Sequence, residues 1–220
     1  MFIGHYAVAL AAKKAAPRTS LGTLFMAAQL VDLIWPLLLL LGIEHVRIDP
    51  GNTAFTPLDF YDYPVTHSLA GAAVWALIMG ILYRVIRHDV RGGVVVAACV
   101  FSHWILDFVT HRADLPLWFT GSTRLGAGLW NSVGGTLVVE TAMFGAGVAL
   151  YVRTTRPRDR TGTYAFWGLI ACVLAIYCAN VAGPPPPDAG MIAVAGNAAW
   201  LFVLWAYWAD RHRVVSPAVP

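Results

Sequence analysis

The chain has 220 residues, of which 58% are hydrophobic and 12% charged, against roughly 25% charged residues in an ordinary soluble domain. A formal net charge of +3 is too small and too scattered for a nucleic-acid footprint. Together these values exclude a disordered chain, a basic nucleic-acid-binding domain and a cytosolic globule, and they predict an integral membrane protein.

Taken in chain order, the first 12 residues are apolar and end at Lys13 and Lys14. A signal peptide carries its basic residues before the apolar run rather than after it. A short re-entrant helix is therefore expected, which surrounding protein must cover. Apolar segments follow at 21–43, 66–83, 92–111, 133–152, 163–182 and 191–209. Each is close to the ~20 residues that cross a hydrocarbon core of ~30 Å. The fold expected is thus all-α, a polytopic membrane helix bundle of about six transmembrane helices plus the re-entrant element. Its parts are a metal-site unit over 1–152, a basic cytoplasmic hinge over 153–160 and a two-helix hairpin over 161–220. Cys99, Cys172 and Cys178 lie inside apolar segments, so neither a disulfide framework nor a thiolate site is indicated.

Lys and Arg gather at alternate junctions: Lys13, Lys14 and Arg18; Arg84, Arg87 and Arg91; Arg153, Arg156, Arg158 and Arg160; Arg211 and Arg213. Loops 44–65, 112–132 and 183–190 are poorer in them. By the positive-inside rule the C-terminus is cytoplasmic and those three loops face outward. The chain has no internal repeat, so the inverted-repeat plan of many transporters gains no support.

Ionisable groups at bilayer depth are costly and are functional hypotheses by default. The apolar segments hold Asp32, Asp107 and Glu140, with His5, His67, His103 and His111 beside them, and no Lys or Arg. Three carboxylates without an organic cation are either protonated or paired with a metal, and four imidazoles favour metal. At a rise of about 1.5 Å per residue, all seven fall between the midplane and the outer face. His103, Asp107 and His111 in SHWILDFVTHRAD are spaced i, i+4, i+8 along one helical stripe. Such a set suits zinc or a similar ion; the structural alternative is interhelical hydrogen bonding or a proton relay. In AQLVDLIWP, Pro36 removes the hydrogen bond to the Asp32 carbonyl and predicts a kink there. Gly134, Gly135, Gly145 and Gly147 around Glu140 would allow close helix approach. Interfacial or neutral, hydrogen-bonded side chains are the alternatives for His5, His67 and Glu140.

The segments MFIGHYAVALAAKKAAP, LGTLFMAAQLVDLIWP, YDYPVTHSL, SHWILDFVTHRADLPLW and GAGLWNS resemble those of a family of bacterial inner-membrane metal-dependent hydrolases, over about residues 1–210. More distantly, the order of His5, Asp32, His67, His103, Asp107, His111 and Glu140 is similar to that of the helical zinc-dependent phospholipase C and single-strand nuclease enzymes. This chain departs from them at Thr136, where they have a histidine, and shows no obvious counterpart of their N-terminal amine. The resemblance implies one or two divalent ions, zinc or manganese, held by those seven residues.

The expected function is therefore a membrane-embedded hydrolase opening to the outer leaflet of a bacterial inner membrane, cleaving a phosphoester or ester of a lipidic or envelope substrate. Asp107 is the expected bridging ligand and catalytic group, Asp32 or Glu140 the general base. Arg112 is the expected contact for an anionic head group, and Phe55, Phe60, Tyr61, Tyr63, Trp118, Phe119 and Trp130 the expected rim. The alternative is a transport or sensor protein using the same carboxylates as a metal or proton relay.

Overall fold

The computed structural model describes residues 1–217; the end of the expected 161–220 unit, residues 218–220, lies outside them. The protein is an all-α bundle. Among the described residues five helices are long and apolar enough to cross a membrane, or six if one bent pair counts as a single span.

Helix α1 (Ile3–Ala15) is the short N-terminal element, and it packs most extensively on α7 (Val133–Thr154). A Cβ on Gly147 would lie 2.6 Å from the Ala7 carbonyl oxygen, so this glycine is what lets the two backbones meet. Gly134 and Gly145 face open space and take no part in that approach. At its far end α1 buries Lys13, which donates to Thr19 O at 2.9 Å and to Asp210 Oδ2 at 2.8 Å.

The segment expected as a first span is two helices, α2 (Leu21–Ala28) and α3 (Leu30–Leu40), bent by 56°. The break is at Gln29, and Pro36 sits inside α3, so the kink expected at Pro36 is seven residues early. The displaced break turns the Ala28 carbonyl away from helix pairing, and His103 takes it up. The hairpin β1 (His45–Ile48) and β2 (Leu58–Asp62) and the single turn α4 (Pro64–His67) lead to α5 (Leu69–Arg87). Ser68 caps α5 by accepting from the Gly71 N–H. Only His88, in the left-handed conformation, and Asp89 separate α5 from α6 (Val90–Thr110), and the Asp89 side chain caps α6.

A small hairpin of β3 (Leu115–Pro116) and β4 (Arg124–Leu125) follows α6. A Cβ on Gly126 would collide with the Arg112 carbonyl, so glycine there lets this loop lie on the end of α6. After α7 comes β5 (Thr155–Pro157), in the stretch expected as a hinge. It pairs antiparallel with β6 (Arg213–Val215). Between them α8 (Arg160–Ala182) precedes α9 (Ala189–Asn197) and α10 (Trp200–Arg211), the last two forming one interrupted apolar run.

The main core gathers residues of α1, α2, α6, α7, α8 and α10. A second cluster, with Trp35, Val46, Phe60, Tyr63, Leu115 and Trp130, forms a roof at the β1–β2 end. Phe60, Tyr63 and Trp130 are therefore roof residues and not an open rim, whereas Tyr61, Trp118 and Phe119 are exposed.

Candidate metal centre

Beneath that roof α1, α3, α4 and α6 each contribute side chains to one buried cluster. The stripe expected on α6 is formed: His103 Nε2 lies 3.1 Å from Asp107 Oδ2, and His111 Nε2 lies 4.0 Å from Asp107 Oδ1. From α1, His5 Nε2 reaches Asp107 Oδ1 at 3.1 Å, and its ring stacks on that of His103 with centroids 3.6 Å apart. From α4, His67 Nε2 lies 3.2 Å from Asp32 Oδ1 and 3.8 Å from Asp107 Oδ2. Asp32 Oδ1 is in turn 3.6 Å from His103 Nε2. The two Asp107 oxygens therefore face different partners, His5 and His111 on one side, His67 and His103 on the other. The α-amino group of Met1, for which the sequence offered no role, also lies against Asp107 Oδ1.

Among the described residues two sets can hold a metal ion: His5, His103 and Asp107, and Asp32, His67 and His103, the ligand atoms of each within 4.8 Å of one another. The histidines and Asp107 are at most 5% exposed, whereas the Asp32 side chain is 37% exposed, which makes Asp32 the open edge of the site.

Hydrogen bonds on the outer side of the rings define which nitrogen faces inward. His103 Nδ1 lies 2.8 Å from the Ala28 carbonyl oxygen. A carbonyl only accepts, so Nδ1 carries a proton, and in the neutral ring it is Nε2 that turns its lone pair to the carboxylates. His103 Nε2 has no hydrogen-bond partner although Asp107 Oδ2 is near it. Acceptors crowded together in this way fit a cation between them. His111 Nδ1 lies 2.9 Å from Asp114 Oδ1, to which the Tyr63 hydroxyl also donates at 3.1 Å. Burial pushes the Tyr63 hydroxyl well above its usual range, with the Asp114 charge adding to the effect, so it remains a donor. Trp130 covers the His111 ring, centroids 4.2 Å apart.

Glu140 is fully buried and stands beside the cluster. Its Oε2 accepts from the Phe2 and Gly4 N–H groups at 2.9 and 3.3 Å, so it caps α1, which has no side-chain cap of its own. Its Oε1 has no partner. Thr136, the point of departure from the zinc enzymes, spends its hydroxyl on the Leu129 and Ser132 carbonyls. Arg112 is ion-paired with Asp59 and reaches Asp114 at 3.4 Å, leaving its side chain 41% exposed. Glu44, Thr66 and Asp114, which contact the histidines or their neighbours, were not legible as site residues. The signals in the sequence were the adjacency of Thr66 to His67 and the i, i+3 spacing of His111 and Asp114; Glu44, 23 residues before His67, carried none.

These features define a multi-pass helical membrane protein with buried histidine and aspartate groups able to hold a metal ion. Comparison with protein families, with curated proteins and with solved structures gives no match for this chain.

Proposed function

We propose that the protein is a membrane-embedded metal-dependent hydrolase acting on a phosphoester or ester of a lipidic or envelope substrate. The observation that carries this reading is the convergence of imidazole Nε2 atoms from three helical elements on two carboxylates, whose one organic cation is the Met1 α-amino group on Asp107 Oδ1. An all-nitrogen-and-oxygen donor set of this kind suits zinc or manganese, one or two ions per chain. His5, His67, His103, His111, Asp32 and Asp107 would hold the metal, with Glu140 at the edge. A bound divalent ion supplies Lewis-acid polarisation of an acyl or phosphoryl oxygen and makes water acidic enough to react near neutral pH.

The chain's own groups divide the remaining work. Asp107 ties the two halves of the cluster together through its two oxygens. Asp32, the half-buried acid at the open edge, is the group a substrate would meet, and it is the better general base when it does not itself ligate the ion. Glu140 holds α1, and with it His5, in position. The roof of Phe60, Tyr63 and Trp130 excludes bulk water above His111. Exposed Trp118 and Phe119 on the same side favour a lipid-like substrate. The positive-inside pattern supports a bacterial inner-membrane location with this face outward and the C-terminus cytoplasmic. The relay alternative needs polar groups continuing to the opposite end. Past Gln29 the packing is instead made by Leu10, Leu24, Phe25 and Val96, which argues against it.

Metal analysis of the detergent-purified protein tests the proposal. About one or two zinc or manganese ions per chain are expected, and chelation should lower stability. Metal-free protein whose stability ignores a chelator would refute it and promote the relay.

A further inference from the structure

Glu44 lies in the turn after α3 and is 1% exposed. A carboxylate buried there would be expected to balance a basic side chain, yet its partners are a helix start. Its Oε1 accepts from the Val65 and Thr66 N–H groups at 2.7 and 2.9 Å, and its Oε2 accepts from the Thr66 hydroxyl at 2.6 Å. The same Thr66 Oγ1 is 2.7 Å from His67 Nδ1. Thr66 has one hydroxyl proton to give. An ionised carboxylate has none, so the Thr66 proton must lie between Oγ1 and Glu44, and Oγ1 is left as an acceptor. The proton between Thr66 and His67 must then belong to Nδ1.

We infer that Glu44, acting through the Thr66 hydroxyl, is a positioning residue that fixes the proton of His67 on Nδ1 and presents Nε2 to Asp32 and Asp107. This deepens the metal-site reading and rests on it for its consequence, since ligating histidines are held in orientation and tautomer by the partner of their other nitrogen. The position of Nδ1–H follows from these hydrogen bonds; without a metal, Nε2 carries a proton as well, 3.2 Å from the Asp32 carboxylate, and a metal would take that proton's place.

Glu44→Gln reverses this arrangement without changing its shape. Two backbone N–H groups demand an oxygen at the Oε1 position, which forces the amide NH2 toward Thr66. Thr66 then accepts from Gln and must donate to His67 Nδ1, which strips Nδ1 of its proton and confines the imidazole proton to Nε2, the atom facing the cluster. Thr66→Val removes the link altogether.

The experiment reads two quantities on detergent-purified wild type, Glu44→Gln and Thr66→Val. The first is the protonation of His67 Nδ1, from 15N chemical shifts at neutral pH in chelated protein. The second is zinc affinity, by chelator competition. Nδ1 should carry a proton in the wild type and lose it in Glu44→Gln. Zinc affinity should fall about 10- to 100-fold in both variants, the usual effect of removing such a partner. Stability of the chelated Glu44→Gln protein should change little, since the helix start keeps its oxygen, so a fall in zinc affinity in that variant reports the tautomer and not lost structure. An unprotonated Nδ1 in the wild type, or affinity in Glu44→Gln within about twofold of wild type, would overturn the inference. Zinc failing to bind the wild type while Nδ1 behaves as described would instead refute the metal reading and leave the role of Glu44 in the tautomer standing.

Discussion

Replacing Asp107 by Asn keeps the side-chain shape and removes the charge at the centre of the cluster. In the wild type the carboxylate is 2% exposed and meets His5 and His103 at 3.1 Å, His67 at 3.8 Å and His111 at 4.0 Å. Removing one member of a buried ionic set costs about 3–5 kcal/mol. At about 1.4 kcal/mol per decade, metal affinity should fall about 10²–10⁴-fold. Linkage turns this into a stability measurement. At free metal one hundred times the wild-type Kd, binding stabilises the folded state by about 2.7 kcal/mol. A hundredfold weaker site gains only about 0.4 kcal/mol under the same conditions. Unfolding followed with and without metal, beside metal content on the same samples, reads both numbers. His103→Ala should behave in the same way. An Asp107→Asn protein that is stabilised and keeps its full metal content would show that Asp107 is a helix-packing residue, and the site would have to be abandoned.

Glu140→Gln retains an oxygen for the Phe2 and Gly4 N–H groups, so metal content and hydrolytic activity should both persist; loss of activity at full metal content would make Glu140, and not Asp32, the base. Glu140→Ala leaves those donors unmet and should cost about 1–3 kcal/mol in chelated protein, seen as a lower unfolding midpoint. Arg213 is buried and donates to the Thr155 hydroxyl, the Thr155 carbonyl and the Gly162 carbonyl, its guanidinium lying 4.8 Å over the Phe166 ring. Arg213→Met should cost about 2–3 kcal/mol and speed proteolysis near β5 and β6, with metal content unchanged. Single cysteines at Trp118 and Arg158 in a cysteine-free background should label from opposite sides of the membrane, Trp118 from outside. Labelling of both from one side would overturn the topology.

The membrane class and the α6 stripe were legible because both are local properties. An apolar run of about 20 residues is read without knowing its neighbours, and residues four apart on a helix share a face whatever packs against them. The positions of His5, Asp32 and His67 in the same cluster were suggested by depth and by the resemblance, not by any local pattern, and independent helices can agree in height without meeting. What sequence could not decide was the direction of hydrogen bonds between elements distant in the chain. Pro36 announces a missing N–H wherever it sits, so a kink was expected beside it. The bend formed instead at Gln29, where freeing the Ala28 carbonyl gives His103 Nδ1 an acceptor. Glu140 read as a ligand or base because a buried acid at that depth calls for a cation. Only the docking of α1 on α7 reveals the unpaired N–H groups of a helix start as its partners. In the same way Glu44 and Asp114 lie in turns that composition marks as ordinary loop, and Thr66 in a single helical turn at the start of an apolar run. Their roles come from folding those turns onto the outer nitrogens of His67 and His111. Local periodicity and hydropathy determine where helices run; which lone pair faces the centre is set by contacts that exist only once those helices have packed.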